Sequence, residues 1–151
     1  MLRPPTPLES MMLLGCGRSG GGAAFVGALD AYAADLTEVW CPGRRLLSSW
    51  AGALCRLRET AGSTEADCSA DAVTGYLDTA AVTSFLAGAT GAYRYVYGQK
   101  GTANLDQSSA TKQPLYTASH SGFNNRPALD LDTLDKGMGS GLTIARPYTI
   151  V

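Results

Sequence analysis

The chain has 151 residues, a formal net charge of −1, 45% hydrophobic and 17% charged residues. That length supports one core, and that composition excludes a disordered chain. The densest basic pairs, Arg44–Arg45 and Arg56 with Arg58, form no basic stripe, and no apolar run nears the roughly twenty residues of a membrane span, so neither nucleic-acid binding nor membrane insertion is expected.

Eighteen glycines point to turns and close backbone approaches, and so to β architecture. In residues 1–27, Pro4, Pro5 and Pro7 favour an extended lead, Met11, Met12, Leu13 and Leu14 form an apolar knot, and a glycine-rich hinge follows. This arrangement suits either an arm that docks on a partner or a disordered terminus. The Leu13-Leu14-Gly15-Cys16 stretch resembles a lipoprotein cleavage box, but the apolar run before it is too short for a signal peptide.

Residues 28–36 read as a short helix with Leu29, Tyr32 and Leu36 on one face. Residues 37–40 are β-prone, Pro42-Gly43 is a turn, and residues 45–50 suggest a short strand. Residues 53–58 alternate imperfectly, with Leu54, Arg56 and Arg58 on one side and Cys55 and Leu57 on the other. Residues 59–76 read as a loop with some β-pairing. Asp78 is placed to cap a helix over 79–86, with Val82, Phe85 and Leu86 as its apolar face and Gly88 and Gly91 ending it. Residues 93–97 predict a strand with Tyr93, Tyr95 and Tyr97 on one face and Arg94 and Val96 on the other. Further strands are expected over 114–117, 128–131 and 148–151.

Several motifs invite a chemical reading. Gly15, Gly17 and Gly20 spell GxGxxG, but the strand before them is short, the helix after them is short, and no alternating β-α units follow. A glycine linker is the simpler reading, with a nucleotide-binding domain kept as a third hypothesis. Cys16, Cys41, Cys55 and Cys68 contain no CxxC pair, and His120 is the sole histidine, so no zinc site is expected. Four cysteines allow three pairings, and either buried thiols or one or two disulfides fit. Asp130, Asp132 and Asp135 are clustered, and Asp130 and Asp132 would share a strand face. A glycosidase needs two such carboxyls, but a solvated turn or a weak calcium site has the same pattern. His120 lies in a Ser/Asn/Gly turn with no nucleophile elbow, so it reads as a surface histidine. Tyr93, Tyr95 and Tyr97 are either half-buried core or a surface on which sugar rings stack.

Four segments, in order, resemble a family. They are ALDAYAADLTEVWCPGRRLLSSWAG (28–52), ALCRLRETAGSTEAD (53–67), YLDTAAVTSFLAGATGAYRYVYGQKG (76–101) and QPLYTASHSGFNNRPALDLD (113–132). Together they are similar to the N-terminal part of the fungal arabinofuranosidase B catalytic domain, a concanavalin-like (LamG-like) domain also met in tailed-bacteriophage virion proteins. Where that family carries Tyr-Asp-Gln-Ser-Gly, this chain has Tyr97-Gly98-Gln99-Lys100-Gly101, without the aspartate. The catalytic carboxylates of the hydrolase relatives lie beyond the matched part, so none of their roles transfers.

The resemblance implies a mainly β fold, an antiparallel concanavalin-like β-sandwich with one or two short helices. It would span residues 28–151 behind an N-terminal arm, residues 1–27. Because the chain stops within the apolar run 148–151, either the sandwich is expected to be incomplete or its last strand to pair with another subunit, the first being preferred. The functional expectation is a structural, non-enzymatic virion protein of a tail, fibre or head, assembled in the bacterial host cytoplasm. Tyr93, Tyr95 and Tyr97 would contact host glycan, and Pro4, Pro5, Pro7 and Met11 to Leu14 would anchor the chain to other virion proteins. A homo-oligomer is expected, with no cofactor and no metal. The alternative is a fragment of an arabinofuranosidase-like glycoside hydrolase using Asp130 and Asp132.

Overall fold

The computed structural model describes residues 24–131 and 136–139. The expectations for residues 1–23, for Asp132 and Asp135 and for the strand at 148–151 lie outside the described residues. The fold is mainly β, antiparallel throughout, with one α-helix, and is consistent with a β-sandwich.

The main sheet has a hairpin at one edge. β2 (Cys55–Glu59) and β3 (Glu65–Cys68) pair with Cys55 opposite Cys68, Arg56 opposite Asp67 and Leu57 opposite Ala66. Period-two alternation buries Cys55 and Leu57 and leaves Arg56 and Arg58 on the other face. Leu54, assigned to the arginine side by alternation, is itself buried just before the strand begins. β4 (Gly91–Val96) adds to the far side of β2. Beyond it lie β7 (Leu115–His120) and β8 (Arg126–Asp130), giving the order β3-β2-β4-β7-β8. The outer edge of β4 is shared: β7 takes Ala92, and the short β6 (Leu105–Asp106) takes Tyr95 and Val96. β1 (Val39–Trp40) and β5 (Gly98–Lys100) form a separate two-stranded sheet.

The helix α1 (Thr79–Leu86) forms where the capping signal places it. Asp78 accepts hydrogen bonds from the Ala80 and Ala81 amides at 3.1 and 3.0 Å, satisfying donors that the first turn leaves unpaired. The chain turns out of the helix at Ala87, whose φ is 48°, before reaching Gly88. Gly91 belongs to β4, not to the helix end.

Val82 and Leu86 drop from α1 onto the inner face of the sheet. They join Leu54, Cys55, Leu57, Cys68, Leu77, Tyr93 and Val96 in one core. Each fully buried aliphatic side chain contributes about 1.5–3 kcal/mol relative to exposure. Trp40, Trp50 and Tyr116 pack around this cluster.

Three further expectations are corrected. Residues 28–36 form only a 3-10 turn over Asp30–Tyr32, and Tyr32 is exposed. Asp30 explains this: its carboxylate accepts from the Gly27 and Ser48 amides, both at 2.7 Å, and that local bonding competes with a helix. Residues 45–50 form no strand. The Leu46 amide donates to the Gln99 side chain at 2.7 Å, and Leu47 is buried singly ahead of a turn at Ser48 and Ser49.

The third correction concerns the tyrosine strand. Arg56 faces Tyr95, yet the next residue of β2, Leu57, faces Tyr93, so Arg94 is an extra residue on β4. This β-bulge breaks the alternation. Tyr93 points into the core with no exposed surface, while Tyr95 and Tyr97 are only half-buried.

Candidate functional site

The candidate site lies beside the bulge. On the face opposite the core, register partners line up across four strands: Asp67 on β3, Arg56 on β2, Tyr95 on β4 and Asp106 on β6. Arg94, the bulged residue, joins this row, and Tyr97 lies beside it. The Tyr95 and Tyr97 rings are stacked, with centroids 6.0 Å apart and planes 14° apart.

The charged groups hold these rings in place. Arg56 grips Asp67 in a two-pronged pair, Nε to Oδ1 at 2.8 Å and Nη2 to Oδ2 at 3.0 Å. Tyr97 donates its hydroxyl to the same Asp67 Oδ1 at 2.7 Å. The Arg94 guanidinium lies 4.2 Å from the Tyr95 ring centroid, donates to the Tyr95 hydroxyl at 3.0 Å and reaches Asp106 Oδ2 at 3.4 Å. Arg56 lies 5.7 Å from the same ring, and Glu65 is 3.9 Å from Arg56.

These contacts set the ionisation of Arg56, Asp67 and Tyr97. Hydrogen bonds from Arg56, with a further one from Tyr97, hold the Asp67 carboxyl below the usual range. The bond to Asp67 raises the Arg56 guanidinium further. Partial burial first, then donation to Asp67, pushes the Tyr97 phenol up to about 12. At neutral pH Arg56 and Asp67 are therefore a fixed charge pair with the neutral Tyr97 hydroxyl bonded to it.

The sequence grouped Tyr93, Tyr95 and Tyr97 as one surface. The structure brings Tyr95 and Tyr97 together and removes Tyr93, whose phenol is pushed far up by burial. Arg56, Asp67, Arg94 and Asp106 were not read as site residues. Their signal was present, because the pairing of Arg56 with Asp67 follows once the hairpin turn is centred near Gly62, but the bulge has no sequence signature. Pro4, Pro5, Pro7, Met11, Met12, Leu13 and Leu14 lie outside the described residues, as do Gly15, Gly17 and Gly20.

The segment that departs from the family motif has structural duties. A side chain at Gly98 would run into the Ala103 carbonyl, and the Gly98 amide donates to Asn104 at 3.0 Å. Gln99 is buried; it accepts from the Leu46 amide at 2.7 Å and donates to the Cys41 and Arg44 carbonyls at 3.3 and 2.7 Å.

Elsewhere, His120 ends β7 and accepts from the Gly122 amide at 3.1 Å. Asp130 ends β8 opposite Leu115. Tyr76 is flanked by two guanidinium groups, Arg126 at 3.9 Å and Arg44 at 5.1 Å from its centroid. Among the described residues, no group of three or more His, Cys, Asp or Glu side chains is placed to hold a metal ion, and no helix is long and apolar enough to cross a membrane.

No family model and no curated protein matches the chain. Among solved structures, it is similar to a GH54 α-L-arabinofuranosidase soaked with a cyclic sulfate inhibitor, with TM-score 0.52 and 24% identity over 69% of this chain. A mutant GH54 α-L-arabinofuranosidase soaked with 4-nitrophenyl α-L-arabinofuranoside gives TM-score 0.53 and 23% identity over the same share. The likeness covers 25% of each of those chains. It shows a β-sandwich fold shared with part of those proteins, in agreement with the arabinofuranosidase side of the resemblance; neither structure is a virion protein.

Proposed function

We propose that this chain is a carbohydrate-contacting β-domain that works by adhesion. The observation that carries the reading is the stacked Tyr95–Tyr97 pair set in a row of Arg56, Asp67, Arg94 and Asp106. Sugar rings offer apolar C–H faces and a rim of hydroxyls. Aromatic rings suit the first, and charged groups fixed in geometry suit the second. Contacts of this kind are individually weak, so a homo-oligomer displaying several copies would gain avidity.

The setting we propose is the particle of a tailed bacteriophage or a phage-derived particle, with residues 1–27 as the anchoring arm. Its support is the ordered set of motifs over residues 28–131. A glycoside hydrolase fragment is the second reading, favoured by the GH54 likeness. The first is preferred because the stacked Tyr95–Tyr97 pair and the charges fixed around it already offer an aromatic and polar surface of the kind a sugar ring meets.

Glycan-array binding of the full-length chain, beside Tyr95→Ala and Tyr97→Ala, tests the adhesion reading. Retention of a sugar class by the parent and its loss in both variants is the expected result. No retention, or equal retention by the variants, would overturn it, and release of sugar by the purified chain would favour the hydrolase. Deleting residues 1–27 should block incorporation into particles; normal incorporation would remove the anchoring role.

A further inference from the structure

Cys55 and Cys68 are both free thiols and are direct register partners on β2 and β3. Both side chains are buried on the core side of the hairpin. Opposed residues of an antiparallel pair have Cα atoms about 4.5–5.5 Å apart, inside the window of about 4.4–6.8 Å that a disulfide spans. Cys41, the remaining described thiol, lies outside this hairpin beyond β1.

We propose that Cys55 and Cys68 close a disulfide across the β2–β3 hairpin when the folded chain meets oxidising surroundings. The bond would pin the edge strand of the sheet, since among the described strands β3 has β2 as its one neighbour. The adjacent register pair is Arg56 with Asp67, so the cross-link would fix the end of the row that holds Tyr97. It would form whether or not that row meets a sugar.

The two thiols are unequal. The hydrogen bond with Cys55 lowers the Cys68 thiol, and that same contact, with burial, raises Cys55. Cys68, on the edge strand and the less buried of the two, is the first nucleophile. Its thiolate attacks one sulfur of a small-molecule disulfide and expels one thiol. The Cys55 thiolate then attacks the Cys68 sulfur of the mixed disulfide and expels the second. Two S–H bonds and the acceptor's S–S bond are broken and one protein S–S bond is formed. The acceptor takes up two electrons, and its two leaving thiolates take up both protons. Opening of the β3 edge gives the acceptor access.

The test incubates the native full-length chain with glutathione disulfide, blocks remaining thiols by alkylation and maps tryptic peptides. Cleavage at Arg45, Arg56, Arg58 and Arg94 places Cys55 on peptide 46–56 and Cys68 on peptide 59–94. The expected product is these two peptides linked, released by reductant, with the oxidised protein melting roughly 5 to 15 °C above the reduced one. A Cys41→Ala variant should give the same linked pair. Recovery of both cysteines alkylated, a glutathione adduct without the link, or linkage of either to Cys41 or Cys16 would overturn the proposal.

Discussion

Arg56 and Asp67 face each other across β2 and β3, and Asp67 Oδ1 receives both the Arg56 Nε and the Tyr97 hydroxyl. One carboxylate oxygen thus ties an ion pair to an aromatic ring. The Asp67 carboxyl is lowered in the fold, so its contribution is fully present above the unfolded value near 3.9 and is lost as pH falls through the folded value.

Asp67→Asn should therefore lower stability at pH 5 and above, and its deficit should shrink as the pH falls through the lowered folded value. Because the Asp67 side chain is 46% exposed, the effect should stay within about 1 kcal/mol. Asp30 and Asp71 are also lowered and should keep part of the parent's acid sensitivity in the variant. Urea melts from pH 6 to pH 2 measure this; a gap independent of pH would count against the assignment.

Gln99 ties the 41–46 segment to β5 through three hydrogen bonds. Gln99→Leu fills similar volume but leaves the Leu46 amide and the Cys41 and Arg44 carbonyls without this partner. The expected loss is about 3 kcal/mol or more, read by chemical denaturation. Parent-like stability would show that the segment holds itself.

Tyr93→Phe should be neutral or raise the melting temperature. The Tyr93 hydroxyl is buried and has no hydrogen-bond partner among the described residues, so its removal costs no bond and relieves a desolvated group. Tyr93→Ala should instead cost about 3–5 kcal/mol through the cavity it leaves. A marked loss in Tyr93→Phe would reveal a partner for the hydroxyl.

Asp78→Ala removes the acceptor for two amides at the start of α1 and should cost about 1 kcal/mol. Asp78→Asn should recover most of it. Thermal melts of the two variants separate the capping bond from the charge.

How much of this was legible follows from the range of the interaction that decides each element. Asp78 and α1 were legible because a cap acts within three residues. The strands at β2, β4, β7 and β8 were legible because alternating or β-branched and aromatic runs carry their own signal. The 28–36 stretch misled because Asp30 spends its carboxylate on Ser48, eighteen residues away. Residues 45–50 misled because Leu46 is held by Gln99, across an even longer separation. The site was half legible. Tyr95 and Tyr97 stood out as aromatic, but Arg56, Asp67 and Asp106 become neighbours only through strand register, and the separation of Tyr93 from them needs the bulge.

That bulge has a consequence for how such a surface can change. Without Arg94, Tyr93 and Val96 would still alternate into the core and Tyr95 and Tyr97 out of it, because the residues on either side stay in phase with their own sides. Arg94 is the one residue of this stretch that the core's alternation does not use. A substitution there should alter the outer row and leave the packing beneath it as it is.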